Sequence, residues 1–376
     1  MAKPSAPRKP NVTATYEATL VYYDEPQLIL LSTSNNKKII AVAVVDEAAE
    51  YPFFGAEISK EQWEKYLRQI NDLRYLFEYP KSNKWYVFDF ANLSDANKIR
   101  MRRIDRADIP EEYIPAGQFF ARSHTEPLGA LESELGVEKF LIDGSWDFPD
   151  FSAFYGKISD LYALFLSIVR YGSKDTERVV RGNIRAAYRR YPLKGGASYR
   201  FFYRDLFSTQ SIMDRLNVDS IQYASPGHVD VHARHDIFGE IHLSISNYKK
   251  NAHEITQSYR ALRKYLSKAR LLTSSAEQFD SLSPYALPIE VHTSALCRAL
   301  SFPYLDQIKE LTGGNILASS KIILSFTRRV DKSFRFFAEG RVAFEAGSVG
   351  QRVDLSEYEA LPPELDEDDA DEELEE

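Results

Sequence analysis

Arg178, Arg181, Arg185 and Arg189 recur at the spacing of one helix face. At 100° per residue they fall within an arc of about 80°. Val180, Ile184, Ala187 and Tyr191 fall on the opposite side, and Pro192 stops the run. A helix over 175–191 would thus turn an apolar face to a core and an arginine stripe to something else. The stripe is about 16 Å long, enough to follow several phosphates. Arginine suits that task because its planar fork binds phosphate through paired hydrogen bonds. Arg190 widens the basic surface, and Lys194 and Arg200 follow it.

A helix expected over 251–272 repeats the pattern. Ile255, Tyr259, Leu262, Leu266 and Ala269 make its apolar face, while Arg260, Lys264 and Lys268 stand at i, i+4, i+8 with Arg263 beside them. Seven bases and one acid lie within 249–270. A third stretch, 321–341, holds six bases and two acids among Phe326, Phe334, Phe336 and Phe337. Solvated helix faces usually mix signs for i,i+4 pairing. One sign on two helices points instead to an anionic partner, nucleic acid or an acidic protein surface. Binding of that kind is largely sequence-independent and strongly salt-dependent. The expected contact residues are Arg178, Arg181, Arg185, Arg189, Arg190, Lys194, Arg260, Arg263, Lys264 and Lys268. The competing reading is a plain solvated face.

Five of the seven histidines lie between His228 and His253. In an extended segment over 228–233, His228, Asp230 and His232 share one face, and Val229 and Val231 take the other. With His235 nearby, such a set could ligate Zn²⁺, Mn²⁺ or Fe²⁺, or supply a base with an orienting carboxylate. The plainer reading is a polar strand edge. No His-Glu-x-x-His or Cys-x-x-Cys spacing supports a metal. Neither a phosphate-binding Gly-x-x-x-x-Gly-Lys-Ser/Thr, a Gly-x-Gly-x-x-Gly nor a Gly-x-Ser-x-Gly occurs. No acid is followed two positions later by lysine, so the carboxylate-x-lysine ending of many nucleases is missing. Cys297, the only cysteine, reads as a small buried residue. No catalytic residue and no cofactor is assigned.

Charge supports the binding reading once it is divided along the chain. The 376 residues sum to −8. Residues 1–151 hold 18 bases and 24 acids, residues 152–354 hold 29 and 19, and residues 355–376 hold 12 acids and no base. A basic second half is therefore masked by an acidic tail. One cysteine excludes an intramolecular disulfide. The first ten residues lack the apolar core of a signal peptide. The longest apolar run, 161–169, is about half a membrane span. A cytoplasmic protein without a membrane partner is expected.

The elements that would carry these residues form an α+β chain. Residues 1–12 read as a flexible lead-in. Residues 13–92 read as a small antiparallel domain, with strands over 15–23, 27–32, 38–45 and 51–58, then one helix from Ser59, then strands over 74–78 and 84–90. Ser59 and Gln62 have capping-box spacing. Trp63, Tyr66, Leu67 and Ile70 give the helix an apolar face. Residues 93–150, interrupted by prolines and carrying five bases and one acid over 98–106, read as a linker or docking segment. Residues 151–354 read as a mainly helical basic domain with a few strands: helices over 157–171, 175–191, 199–207, 251–272, 302–311 and 316–327, with strands over 221–223, 228–233 and near 344. Residues 355–376 read as a disordered acidic tail, too poor in apolar surface to fold.

Tyr22-Tyr23-Asp24-Glu25-Pro26 and the strands after it resemble the opening of an uncharacterised bacterial domain-of-unknown-function family. Tyr191-Pro192, Gly195-Gly196, Phe202-Tyr203-Arg204-Asp205-Leu206 and Ile221-Gln222-Tyr223-Ala224-Ser225-Pro226-Gly227 are similar to motifs of the same proteins. The likeness covers most of 13–270. It implies a bacterial cytoplasmic protein and brings no activity, and it does not make His228 or His232 fixed ligands. The function expected is a non-enzymatic binding or regulatory protein. Its basic C-terminal domain would engage nucleic acid or an acidic partner, its N-terminal domain another protein, and its tail would compete for the basic surface. The alternatives are a metal-dependent hydrolase or nuclease centred on His228, Asp230, His232 and His235, and a protein-interaction component of a bacterial phage-defence or mobile-element system.

Overall fold

The computed structural model describes residues 11–44, 52–121, 135–190, 193–194, 199–211, 214–345 and 365. The chain divides into two compact units, residues 1–133 and 134–376. It is α+β, with a β-rich first unit and a mainly helical second one.

In the first unit six antiparallel strands close into a barrel in chain order: β1 (Val12–Tyr23), β2 (Glu25–Thr33), β3 (Lys38–Ala43), β4 (Phe53–Ile58), β5 (Trp85–Phe88) and β6 (Lys98–Ile104). Pairing of Val12 with Met101 and of Thr15 with Lys98 joins the ends. Ile29, Leu31, Ile39, Ala41, Phe53, Tyr86, Phe88 and Met101 fill one core. Leu28, Leu30, Ile40, Phe54, Ala56 and Trp85 make a second with two helices, α1 (Lys60–Leu67) and α2 (Leu73–Glu78). Strands buried on both faces have no reason to alternate, so β4 is apolar nearly throughout. Gly55 is required by space: a Cβ there would lie 3.1 Å from Ala41 Cβ and Ile39 Cγ2. Glu57 is the buried exception in β4. Lys37, Lys84 and Tyr86 place donors 3.2, 3.4 and 3.0 Å from its carboxylate. Burial alone would raise this carboxyl; the bonds from Lys37 and Tyr86 and the charge of Lys84 outweigh it and hold the group below its ordinary value.

Three expectations for this region are corrected. The segment expected as a strand over 74–78 is the helix α2, because the Asp72 side chain accepts from the Tyr75 N–H and caps it. Among its described residues the unit therefore has two α-helices and not one. The expected linker at 93–150 holds β6, which closes the barrel, and also the first strand of the second unit. At the start of α1 the Ser59–Gln62 capping box is formed in both directions. That helix stops at Leu67, so Ile70 lies beyond it and is exposed.

The second unit begins with β7 (Leu135–Ile142), well before residue 151. It continues through α3 (Phe148–Gly172), α4 (Arg178–Arg190), α5 (Arg200–Ser208), the hairpin β8 (Asn217–Gln222) and β9 (Gly227–Arg234), α6 (His235–Lys268), α7 (Ala286–Ala299), α8 (Leu305–Leu311), α9 (Ile316–Ala338) and β10 (Val342–Phe344). The strands form an antiparallel sheet in the order β10-β7-β9-β8. α6 is two helical segments joined at a kink at Asn251 (φ −120°, ψ 19°): the second begins where a helix was expected, and the first, from His235, was not expected. α7 was not expected, and α9 runs eleven residues past 327. From Ile316 to Asp331 every residue of α9 is buried.

α3 runs antiparallel along α9. Phe165 meets Phe326 at 5.7 Å between ring centroids, Asp160 receives the Arg329 Nε–H at 2.7 Å, and Phe154 meets Phe336 at 5.4 Å. Rising positions on α3 thus pair with falling positions on α9. Nearly all of the expected acidic tail and of the N-terminal lead-in lies outside the described residues. Leu365 is described: it is 5% exposed, packs into the second unit's core, and its backbone N–H bonds the Asp331 carboxylate.

Candidate nucleic-acid interface

The α4 stripe forms where expected, with Ile184, Ala187 and Tyr188 buried on the other face. Its arginines, however, are engaged within the fold. Arg181 donates to the carbonyls of Thr176 (3.0 Å) and Lys174 (3.3 Å). Arg185 donates to the Tyr171 hydroxyl at 3.0 Å and lies over that ring, and the same hydroxyl donates to Glu310 at 2.8 Å. Arg189 donates to the Leu311 carbonyl (3.0 Å) and the Glu310 carbonyl (3.3 Å), at the C-terminal end of α8. Those carbonyls carry the negative end of the helix dipole, where a cation is stabilising. Gly313, at φ +71°, leaves room for the guanidinium, since a Cβ there would lie 3.2 Å from Arg189 Cζ. Arg190 pairs with Asp205 at 2.8 Å. Arg178 and Lys194 are exposed.

The second half of α6 behaves differently. Ile255, Tyr259, Leu262 and Leu266 are buried as the spacing requires. Arg260, Lys264 and Lys268 are exposed. Among the described residues none of the three has an ion pair or side-chain hydrogen bond. Arg263 is half-buried and is not free. The ridge from Arg260 to Lys268 is about 12 Å long. A phosphate chain can reach these ammonium and guanidinium groups without breaking an internal bond.

Compared with protein-family models, with curated proteins and with solved structures, the chain matches none. The site therefore rests on its own geometry.

The third basic stretch does not make a surface. Lys321 is fully buried, and its ammonium donates to the carbonyls of Leu193 (2.8 Å) and Ser274 (2.6 Å). Burial pulls its pKa down to about 8. Arg335 pairs with Asp331 at 3.1 Å, and Tyr248 donates to the same carboxylate at 2.8 Å. Arg341 pairs with Asp150 and lies 4.3 Å over the Trp146 ring. Arg328 and Arg329 are both buried. The basic run over 98–106 is mostly strand: Lys98, Arg100 and Arg102 point out from the barrel, while Ile99 and Met101 point in.

The histidines take the alternation expected of β9, with Val229, Val231 and Ala233 buried on the opposite face. Each then meets a different carboxylate. His228 lies 3.5 Å from Asp230, His232 lies 3.2 Å from Asp219, and His235 lies 2.6 Å from the buried Glu138. Asp230 also accepts from Ser220 and faces Lys139 at 3.9 Å. Among the described residues no three His, Cys, Asp or Glu side chains come together as a metal site. The carboxylates that divide the histidines, Asp219 and Glu138, come from β8 and β7, so spacing within β9 could not reveal them.

Cys297 is buried on α7, and burial pushes its thiol up to about 12, far from a nucleophile's range. It lines a shallow cleft of about 430 Å³ with Ser294, Arg298, Asp306 and Lys309. Lys309 there is already paired with Glu290 at 2.5 Å. Among the described residues, no helix is long and apolar enough to cross a membrane.

Proposed function

We propose that the chain is a non-enzymatic binding protein whose C-terminal unit engages nucleic acid through the Arg260, Lys264, Lys268 ridge of α6. The observation that carries this reading is the freedom of that ridge: three cations of one sign, exposed on one face, without a carboxylate partner among the described residues. The contacts would be to phosphates, so affinity would fall steeply with salt and vary little with sequence. The acidic segment 355–376 is read as an intramolecular competitor. Its Leu365 packs in the core of the same unit, and tethering to that unit is what would make the segment's acids an intramolecular competitor.

The test is fluorescence anisotropy of a labelled oligonucleotide, single- and double-stranded, titrated with the full chain at several salt concentrations. Arg260→Glu/Lys264→Glu/Lys268→Glu is expected to lose binding at unchanged stability. Removal of 366–376 is expected to strengthen binding at low salt. Wild-type affinity in the charge-reversed variant would refute the ridge, and unchanged affinity on truncation would refute the competitor.

A further inference from the structure

Leu282, Leu287 and Val291 are large apolar side chains, yet they are 92%, 70% and 59% exposed. All three lie in or just before α7, whose other side buries Ile289, Thr293, Leu296 and Cys297. At 100° per residue Leu287, Val291, Ser294 and Arg298 fall within an arc of about 60° and run about 16 Å along the helix. The stripe is apolar at its start and ends on Arg298. That arginine is exposed and has no hydrogen-bond or ion-pair partner among the described residues. Leu282 is held in place by its backbone. Its N–H donates to the Asp280 side chain at 2.9 Å, the Ser283 N–H to the Asp280 carbonyl at 2.9 Å, and the Ala286 N–H to the Ser283 carbonyl at 3.0 Å. The turn therefore presents this leucine as a fixed knob just ahead of the helix.

The cleft of about 430 Å³ lies at the other end of α7. Ser294, Cys297, Arg298, Phe302, Pro303 and Leu305 line it, so much of its wall is apolar. Lys309 in the same cleft is paired with Glu290 at 2.5 Å and with Asp306 at 3.5 Å. An exposed leucine, an apolar cleft and an unpaired arginine thus share one helix. They are also evenly placed about its middle. Leu282 precedes residue 289 by seven positions, and Ser294, Cys297 and Arg298 follow it by five, eight and nine. Asp280 precedes it by nine, the mirror of Arg298. The Asp280 carboxylate accepts the Leu282 N–H and has no ion pair among the described residues.

We propose that this face of α7 receives a second copy of the chain, with the two α7 helices antiparallel about a two-fold axis level with residue 289. In such an isologous contact every pairing occurs twice. Leu287 of each copy meets Val291 of the other. Leu282 of each copy enters the cleft of the other, beside Cys297, Phe302 and Leu305. Asp280 of each copy reaches Arg298 of the other. Each cleft is thus completed by a side chain that its own chain carries too far away to use. In a parallel pair, knob would meet knob and arginine would meet arginine, so shape and charge both select the antiparallel one. Removal of the leucines and valine from water drives the contact, and the Asp280–Arg298 pairs fix its register. None of these residues lies on α6, so the inference stands apart from the nucleic-acid reading.

The test is sedimentation velocity of the full chain over a dilution series that starts at tens of micromolar. Wild type is expected to run as a dimer that dissociates on dilution. Leu282→Asp and Val291→Asp are each expected to weaken the dimer by about tenfold or more. Both side chains are exposed, so far-UV circular dichroism is expected to stay that of wild type. Arg298→Glu is expected to weaken the dimer too, because it sets a second carboxylate against Asp280. Adding Asp280→Asn, which keeps the oxygen that accepts the Leu282 N–H, should recover part of that loss. A monomer at every concentration, a dimer unaffected by Leu282→Asp, or an Arg298→Glu variant that Asp280→Asn fails to rescue would each overturn the proposal. Arg260→Glu/Lys264→Glu/Lys268→Glu is expected to dimerise as wild type does, so loss of the dimer and loss of oligonucleotide binding are read separately.

Discussion

α4 and α6 carry nearly the same pattern, bases at helical spacing opposite an apolar face, and they use it in opposite ways. On α4 the arginines reach back to backbone carbonyls and to a tyrosine. Arg189 alone ties α4 to the end of α8 through two carbonyls. On α6 the bases Arg260, Lys264 and Lys268 have no hydrogen-bond or ion-pair partner among the described residues. Two physical causes separate them. α4 lies beside the end of α8, whose orphan carbonyls need donors, whereas the last turns of α6 point their polar face at solvent. Residue type also matters: the five donors of a guanidinium can satisfy several carbonyls at once, while lysines on α6 carry compact, strongly hydrated charges. A one-signed face therefore identifies a ligand surface only after its donors have been traced.

The largest effect expected from this contrast is on stability. Arg189→Glu removes two donors from the end of α8 and sets a carboxylate against carbonyls already at the negative end of a dipole. A loss of about 3 kcal/mol is expected. It would be read as a lower denaturation midpoint at unchanged m-value. A loss below about 0.5 kcal/mol would mean that these bonds are ordinary surface contacts and that the α4 stripe is free after all.

Next in size is the mirror experiment on α6. Arg260→Glu/Lys264→Glu/Lys268→Glu should leave stability within about 0.5 kcal/mol, because the side chains touch nothing that the fold needs. Its affinity for an oligonucleotide should fall about 100-fold at low salt, and the slope of log affinity against log salt should shrink by about 3. If instead stability falls and binding survives, the roles assigned to the two helices are reversed.

Much of this contrast lay within reach of sequence reasoning, but its decisive part did not. The spacing of Arg178 to Arg189 and of Arg260 to Lys268 located both faces. Nothing near residue 189 announces that its partners are the carbonyls of residues 310 and 311. The Arg329–Asp160 bond was hidden for the same reason, since the two residues become neighbours only through the packing of α3 on α9. In the first unit the strands are legible from β-branched and aromatic runs, but the closing one is masked by its charged residues. The signal was present: Lys98, Arg100 and Arg102 alternate with Ile99 and Met101, the period of a half-buried strand. The strand expected over 74–78 failed because Tyr75 and Phe77 favour β structure, while the Asp72 cap decides the backbone.

A third kind of basic side chain, the half-buried Lys157 of α3, sharpens the contrast through pH. The Lys157 ammonium sits at about 8 in the folded chain against an ordinary value of 10.5. Between those two values the unfolded chain holds more protons at this position, so its contribution to stability rises with pH from about 8 to about 10.5. Lys157→Gln should therefore flatten the stability profile across that window. Lys321, also lowered to about 8, stays in both proteins and cancels in the difference. Equal profiles for the variant and the wild type would show that Lys157 is well solvated.

The smallest effect belongs to the α4 pair that most looks like a stabilising contact. Arg190 meets Asp205 at 2.8 Å, yet the arginine side chain is 64% exposed. Water screens such a pair, and ordering a long side chain offsets part of the Coulomb gain. Arg190→Ala should cost less than about 1 kcal/mol, well under Arg189→Glu one position away. Both residues are arginines on the same helix end, so the difference between them isolates the partner. Two helix-terminal carbonyls that share one guanidinium hold α4 in place, and a single pairing from a largely exposed arginine does not. If Arg190→Ala proved as damaging as Arg189→Glu, the anchoring of α4 would belong to α5 through Asp205, and the end of α8 would be a bystander.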